Sequence, residues 1–240
     1  MGDYYTHDVT QLPFRMILRG GSGGNWPFLL RLIVTARKAL GWHFPATEGL
    51  AFRAEAPSLE VEELPLCLQA EFRDRLREAE ELGFQRIRLA KGYRIGFSVN
   101  YGCTLCSHDR TTILTVTAAR SAVGAVTGAL RALGLRTDLL DGTVLLTGRG
   151  KGGLERLPEP RYRTEMLAES ASIANLVHHH RQRLQGLPHN QVATLPADDL
   201  PGFLARRAQT EFHELVAMGL FRKLTDRETA RLCQVRFDFE

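Results

Sequence analysis

Between Phe84 and Gly148 the chain returns again and again to a two-residue rhythm broken by turn residues, and that block limits the folds open to it. "FQRIRLA" (84–90) and "YRIGFSV" (93–99) are joined by Lys91-Gly92, and Tyr93, Ile95, Phe97 and Val99 share one face of the second segment. "TTILTVT" (111–117) is rich in β-branched residues, which suit a pleated, half-buried surface. In "LRTDLLDGTVLLTG" (135–148) the Asp141-Gly142 pair is the dipeptide a tight two-residue hairpin turn prefers. Only "SAVGAVTGALRALG" (121–134) departs from the rhythm. It fits a helix capped by Ser121 and stopped by Gly134, against which Gly124 and Gly128 count, and the choice between helix and strand stays open.

Helical patterns flank this block. "LPLCLQAEFRDRLREAEELGF" (64–84) repeats Leu68, Phe72, Leu76, Ala79 and Leu82 at spacings of three and four, pairs Glu71 with Arg75, and stops at Gly83. Upstream, "FRMILR" (14–19) reads as a short edge strand. A helix then opens at Asn25 and Pro27, carries Leu29, Ile33, Ala36 and Leu40 on one face, and ends at Gly41, and "LAFRAEA" (50–56) follows as a strand. Downstream, a Gly/Pro-rich basic connector leads to a helix over 164–186 with Met166, Ile173, Val177 and Leu184 on one seam. A helix over about 199–218, opened by Asp199 and Pro201 and closed by Gly219, comes next, and the capping box "TDRE" (225–228) opens a short last one. The order predicts an α+β fold: an antiparallel sheet of hairpins packed by flanking helices, with a helical C-terminal extension. The expected organisation is an N-terminal arm and amphipathic helix at 1–46, an α+β core at 47–186 and a C-terminal helical segment at 187–240.

Composition excludes several classes. With 44% hydrophobic and 24% charged residues, the chain can bury a core and is not a disordered segment. Its most apolar run, "WPFLLRLIVTARKAL" (26–40), meets Arg31 after five residues, far short of the roughly 20 apolar residues of a membrane span. The start "MGDYYTHDVTQLPF" lacks the basic and apolar regions of a signal peptide, and four scattered cysteines do not make a disulfide framework, so a reducing cytoplasm is expected. The 31 basic and 27 acidic residues leave a net charge of +4, compatible with anionic partners without requiring them.

The densest chemistry lies in "NYGCTLCSHDRTT" (100–112), where Cys103, Cys106 and His108 have a spacing that zinc tolerates. A structural site needs a fourth ligand from elsewhere in the chain, and a redox pair needs a helix N-terminus that strand-to-turn context does not provide. The preferred reading is a hairpin loop over 101–110, with Gly102 and His108-Asp109 as turn residues and zinc the second choice. His178-His179-His180 cannot converge on one ion, because consecutive helical residues point about 100° apart. His180 falls on the apolar seam and is expected to be a hydrogen-bonded core histidine. "GGSGG" (20–24) lacks both phosphate-loop patterns and reads as a flexible connector. Arg149, Lys151, Arg156, Arg161 and Arg163 form the best candidate anion patch, diluted by Glu155 and Glu159.

Leu82-Gly83-Phe84, Asp141-Gly142-Thr143 with Thr147, Pro158, and His180 with Arg183-Leu184 together resemble a layout seen in uncharacterised bacterial α+β proteins. In that layout a Leu-Gly-Phe helix end precedes a curled antiparallel sheet, a D-G-T hairpin and a His-x-x-Arg-Leu helix. The resemblance implies a sheet-plus-helix architecture and leaves activity open, and the cysteine pair and the insert at 121–134 depart from it. The expected function is a non-catalytic binding or interaction protein, engaging a protein partner or itself, without a cofactor. The alternative is anion or nucleic-acid binding through the 149–163 connector. A zinc protein or enzyme centred on Cys103, Cys106 and His108 comes third.

Overall fold

A computed structural model describes residues 3–7, 33–37, 39–43, 46, 48–51, 57–92, 94–96, 98–123, 126–149, 161–188 and 191–234. The expected strand at 14–19, the Gly-rich stretch at 20–25 and the connector at 150–160 lie outside the described residues, as do Tyr93 and Phe97. In chain order the elements are β1 (Tyr5–His7), β2 (Glu48–Leu50), α1 (Leu66–Glu81), β3 (Phe84–Lys91), β4 (Arg94–Gly96), β5 (Ser98–Ser107), β6 (Thr112–Val123), β7 (Val126–Asp138), β8 (Val144–Arg149), β9 (Tyr162–Leu167), α2 (Ile173–Gln185), α3 (Leu200–Ala217), β10 (Phe221–Lys223) and α4 (Asp226–Cys233). The protein is α+β, and among the described residues no helix is long and apolar enough to cross a membrane.

The chain divides into two compact units, one of residues 1–54, 93–97 and 205–237, the other of residues 55–92, 98–204 and 238–240. Both are discontinuous in sequence, whereas the sequence reading draws three consecutive segments. In the first unit β10, β1, β2 and β4 form an antiparallel sheet in that order. Its core joins Ala46, Leu224 and Leu232, with Tyr4 packed against them, and Phe212 meets Tyr5 edge-on at 5.2 Å between ring centres. Thr225 and Glu228 make the expected capping box of α4.

The second unit is built on a six-stranded sheet ordered β3-β5-β6-β7-β8-β9, antiparallel except for the parallel pair β8–β9. Side chains alternate across a strand, so the register sorts residues onto two faces. Cys103 lies opposite Val116, Leu105 opposite Leu114, and Leu114 in turn opposite Leu135. This face is covered by α1 through Phe72, Leu76 and Ala79 and by α2 through Ile173, Leu176 and Val177. On the other face Cys106 and Ile113 pack with Leu195, which follows α2 in the chain. β8 has both faces covered, and Val144, Leu145, Leu146, Thr147 and Gly148 are all buried.

Several expectations are corrected. The choice left open over 121–134 falls to strand at residues 121–123 and 126–134: β6 and β7 pair from Thr112↔Thr137 to Val123↔Val126, and cross-strand pairing outweighs the helical preference of the alanines and leucines. "YRIGFSV" is not one strand, because Gly96 sits at φ 103° and the chain passes from β4 in one sheet to β5 in the other. β3 therefore pairs with residues 101–107 of β5 and not with its immediate successor. The Asp141-Gly142 turn is a three-residue loop: the Gly142 N–H donates to the Leu139 carbonyl at 3.0 Å, Gly142 takes φ 82°, and the Asp141 side chain accepts from the Thr143 N–H. Residues 162–167 form β9, so the helix expected from 164 begins at Ile173, where the Ser172 side chain accepts the Asn175 N–H.

Candidate functional site: a buried hydroxyl–imidazole–guanidinium chain

The two cysteines stand in the interior of β5, not in a loop. Three residues apart on a strand, they point to opposite faces: Cys103 into the α1-covered core and Cys106 toward Leu195. Burial pushes the Cys103 thiol up to about 12 and raises that of Cys106 as well, which holds both protonated, away from the thiolate that binds metal or attacks disulfides. His108 is exposed in the turn after β5, where the Asp109 carboxylate accepts from Ser107 Oγ at 2.5 Å and from the Thr111 N–H at 3.2 Å. Burial works to raise the Asp109 pKa, but these hydrogen bonds outweigh it and lower the net value. Cys103, Cys106 and His108 thus do not meet around a point. Among the described residues no three His, Cys, Asp or Glu side chains cluster to hold an ion.

The basic residues are spread as well. The β8–β9 register runs from Val144↔Tyr162 to Arg149↔Leu167, so along the strands Arg149 is roughly 13 Å from Arg163 and roughly 20 Å from Arg161. Arg149 donates to the Ala171 carbonyl just before α2, and the Arg161 guanidinium lies 5.5 Å from the ring centre of Tyr162. Lys151 and Arg156 lie outside the described residues.

What the fold does bring together is a line of polar side chains on the α2-covered face. Ile173, Leu176, Val177 and His180 recur at helical spacing and are all buried, and Arg183 stands one turn further along. His180 is 1% exposed and meets a threonine hydroxyl at each ring nitrogen: Thr137 Oγ1 at 2.9 Å from Nε2 and Thr147 Oγ1 at 2.8 Å from Nδ1. The register makes this possible, since Thr112 lies opposite Thr137, Leu135 opposite Thr147, and Thr147 opposite Glu165. Thr112 Oγ1 is 2.9 Å from Thr137 Oγ1. Arg183 donates to Thr147 Oγ1 at 2.6 Å, to the Leu146 carbonyl, and to the Arg163 carbonyl at 2.9 Å, so one guanidinium bridges both strands of the parallel pair. Glu165 accepts from Arg183 Nε at 3.1 Å, and its other oxygen lies 2.8 Å from His179 Nε2.

Proton accounting gives this chain a direction. Arg183 can only donate, so Thr147 accepts from it and is left with one hydrogen, for which the bare Nδ1 of His180 is the acceptor. Nε2–H then donates to Thr137, whose hydroxyl hydrogen goes to Thr112. From there Thr112 reaches Thr111 Oγ1 at 3.4 Å, and Thr111 donates to Asp109 at 3.0 Å. A cation at one end and a carboxylate at the other polarise every link in the same sense. Burial lowers the His180 pKa to about 4, helped by the nearby Arg183 and His179, so the imidazole is neutral at pH 7.

The expectation that His180 is a hydrogen-bonded core histidine matches this geometry. Thr112, Thr137 and Glu165 were not singled out by sequence reasoning. The only signals available were the His-x-x-Arg spacing and threonines at inward positions of apolar strands. With its imidazole sealed from solvent, the chain fastens α2 to the sheet.

In the first unit one side chain pattern points outward. Residues 33–37 are helical, and Gly41 ends the stretch at φ 66°. Val34 is 7% exposed, whereas Ile33, Leu40 and Trp42 are 38%, 59% and 62% exposed. Ile33 and Leu40, two residues of the apolar face read from the sequence, thus face out, and Leu29 lies outside the described residues. No protein-family model, curated protein or solved structure matches the chain.

Proposed function

We propose that the protein acts by binding another protein and not by turning over a substrate. The observation that carries this reading is the exposure of three large apolar side chains, Ile33, Leu40 and Trp42, within ten residues of chain, because exposed apolar surface, where it is contiguous, marks interaction sites. The inward fate of the chemistry-capable groups supports it: both strand cysteines are buried and protonated, and both His180 nitrogens are occupied.

The test pairs Leu40→Glu with Trp42→Ala, measuring partner capture and light scattering beside the unaltered protein, with circular dichroism as the control for folding. Loss of a partner, or of a dimer, in a folded variant is the expected result. Unchanged association, or retention on heparin that falls steeply with salt through counterion release, would move the reading to the anion-binding alternative.

A further inference from the structure

We infer that His180 is a proton-operated latch: neutral, it fastens α2 to the sheet, and protonated, it releases that helix. The inference is independent of the proposed binding role. Its basis is the donor and acceptor count around the ring. In the neutral form every hydrogen of the chain Arg183–Thr147–His180–Thr137–Thr112 has an acceptor. In the imidazolium both nitrogens donate. Thr147 Oγ1 must then accept from Arg183 and from Nδ1 together, and its own hydrogen is stranded in a buried site.

The charge has no counter-ion in contact with the ring: the Asp109 carboxylate that ends the chain stands beyond the hydroxyls of Thr137, Thr112 and Thr111. On α2 the neighbours are Arg183, one turn on, and His179. From β8 the charged residue on this face is Arg149, and from β9 they are Arg163, a further cation, and Glu165, already bonded to Arg183 and His179. β7 presents Thr137 on this face, with Arg136 and Asp138 on the other, and β6 presents Thr112. From α1 the group that reaches α2 is Glu78, which accepts the Ala174 N–H in the first turn, two turns from His180. An imidazolium at this position would meet a guanidinium and hydroxyl oxygens only, so hydration by opening α2 is its way out.

The sign follows from linkage. The ordinary histidine value of 6.5 applies in the open state and about 4 in the closed one, so between those values the open state holds one more proton. Closure is strongest above 6.5 and weakens about tenfold per pH unit below it, levelling off near 4, about 300-fold in all.

Hydrogen exchange of the full chain, expressed as protection factors from pH 7.5 to 4, reads this directly. The expected result is a fall of that slope in the α2 amides of residues 173–185 while the α1 amides of residues 66–81 keep their protection. Glu165→Gln, Glu78→Gln and His179→Gln should preserve the slope, and His180→Gln should abolish it. Should His180→Gln fail to fold, the long-range ¹H–¹⁵N spectrum of the unaltered protein decides: a bare Nδ1, a protonated Nε2 and a titration midpoint well below 6.5 are expected. An Nδ1–H tautomer, a slope that survives His180→Gln, a slope lost in the Glu165 or Glu78 variant, or α1 and α2 losing protection together would each overturn the latch.

Discussion

α1 and α2 cover the same face of the same sheet, yet they are held by different physics. α1 lays Phe72, Leu76 and Ala79 on Leu89, Leu105 and neighbouring core residues, and its polar bonds lie at its margin, where Arg73 meets Glu62 and Arg75 meets Glu71. α2 begins the same way, with Ile173, Leu176 and Val177. Its second half then exchanges apolar contact for the His180–Arg183 line. Apolar packing is non-directional and tolerates small shifts. A chain of hydrogen bonds demands a register, and the threonines that receive α2 stand 43 and 33 residues before His180. α1 contributes burial, while α2 contributes burial and a specified position over β7, β8 and β9.

The comparison breaks most visibly at Phe72. Phe72→Ala removes a side chain that is 1% exposed and leaves a cavity under α1, so a loss of about 3–5 kcal/mol is expected from denaturant midpoints. That loss should not depend on pH between 7 and 5, since no titrating group is involved. A loss below about 1 kcal/mol would mean that α1 is loosely seated and the contrast with α2 is misplaced.

A second substitution sharpens the contrast. His180→Leu keeps much of the volume but strands the Thr147 hydroxyl hydrogen and removes the donor to Thr137, and about 2–3 kcal/mol is the expected cost. Adding Thr147→Val to His180→Leu should recover part of it, because removing both partners is less costly than leaving one unsatisfied. Strict additivity in that double-mutant cycle would show that the two side chains do not depend on each other.

Legibility divides along the same line. α1 was readable because its signals are local: the repeat of Leu68, Phe72, Leu76 and Ala79, and a Gly83 that takes φ 88° after the last turn. The Thr225–Glu228 box and the Asp199 cap of α3, which accepts the Gly202 N–H at 3.1 Å, were readable for the same reason. The insert at 121–134 stays open between helix and strand in the sequence because its local preference is overridden by a hairpin partner, and Met166 is misplaced because a short amphipathic strand imitates one turn of helix. The opposite faces taken by Cys103 and Cys106 follow from strand parity once β5 is known to run on through Ser107. Of the polar chain, His180 was legible from its place on the apolar seam, and Thr147 and Arg183 only as parts of the resembled layout. Nothing local tells which threonines a register will place beneath it.

The smallest expected effect lies where the helices start. α1 opens on Pro65 with no side-chain cap, a position where a missing N–H costs nothing. α2 opens on Ser172, whose Oγ accepts the Asn175 N–H at 3.1 Å, while Glu78 from α1 accepts the Ala174 N–H at 3.1 Å. Two of the amides that a helix leaves unsatisfied are thus taken by side chains, one of them a carboxylate favoured by the positive end of the helix. Ser172→Ala should cost about 1 kcal/mol, read from thermal unfolding, and Ser172→Asp should cost less, because aspartate caps as well as serine does. Equal costs for the two variants would mean that the hydroxyl does not cap α2 in solution and that the neighbouring carboxylate of Glu78 carries the helix start by itself.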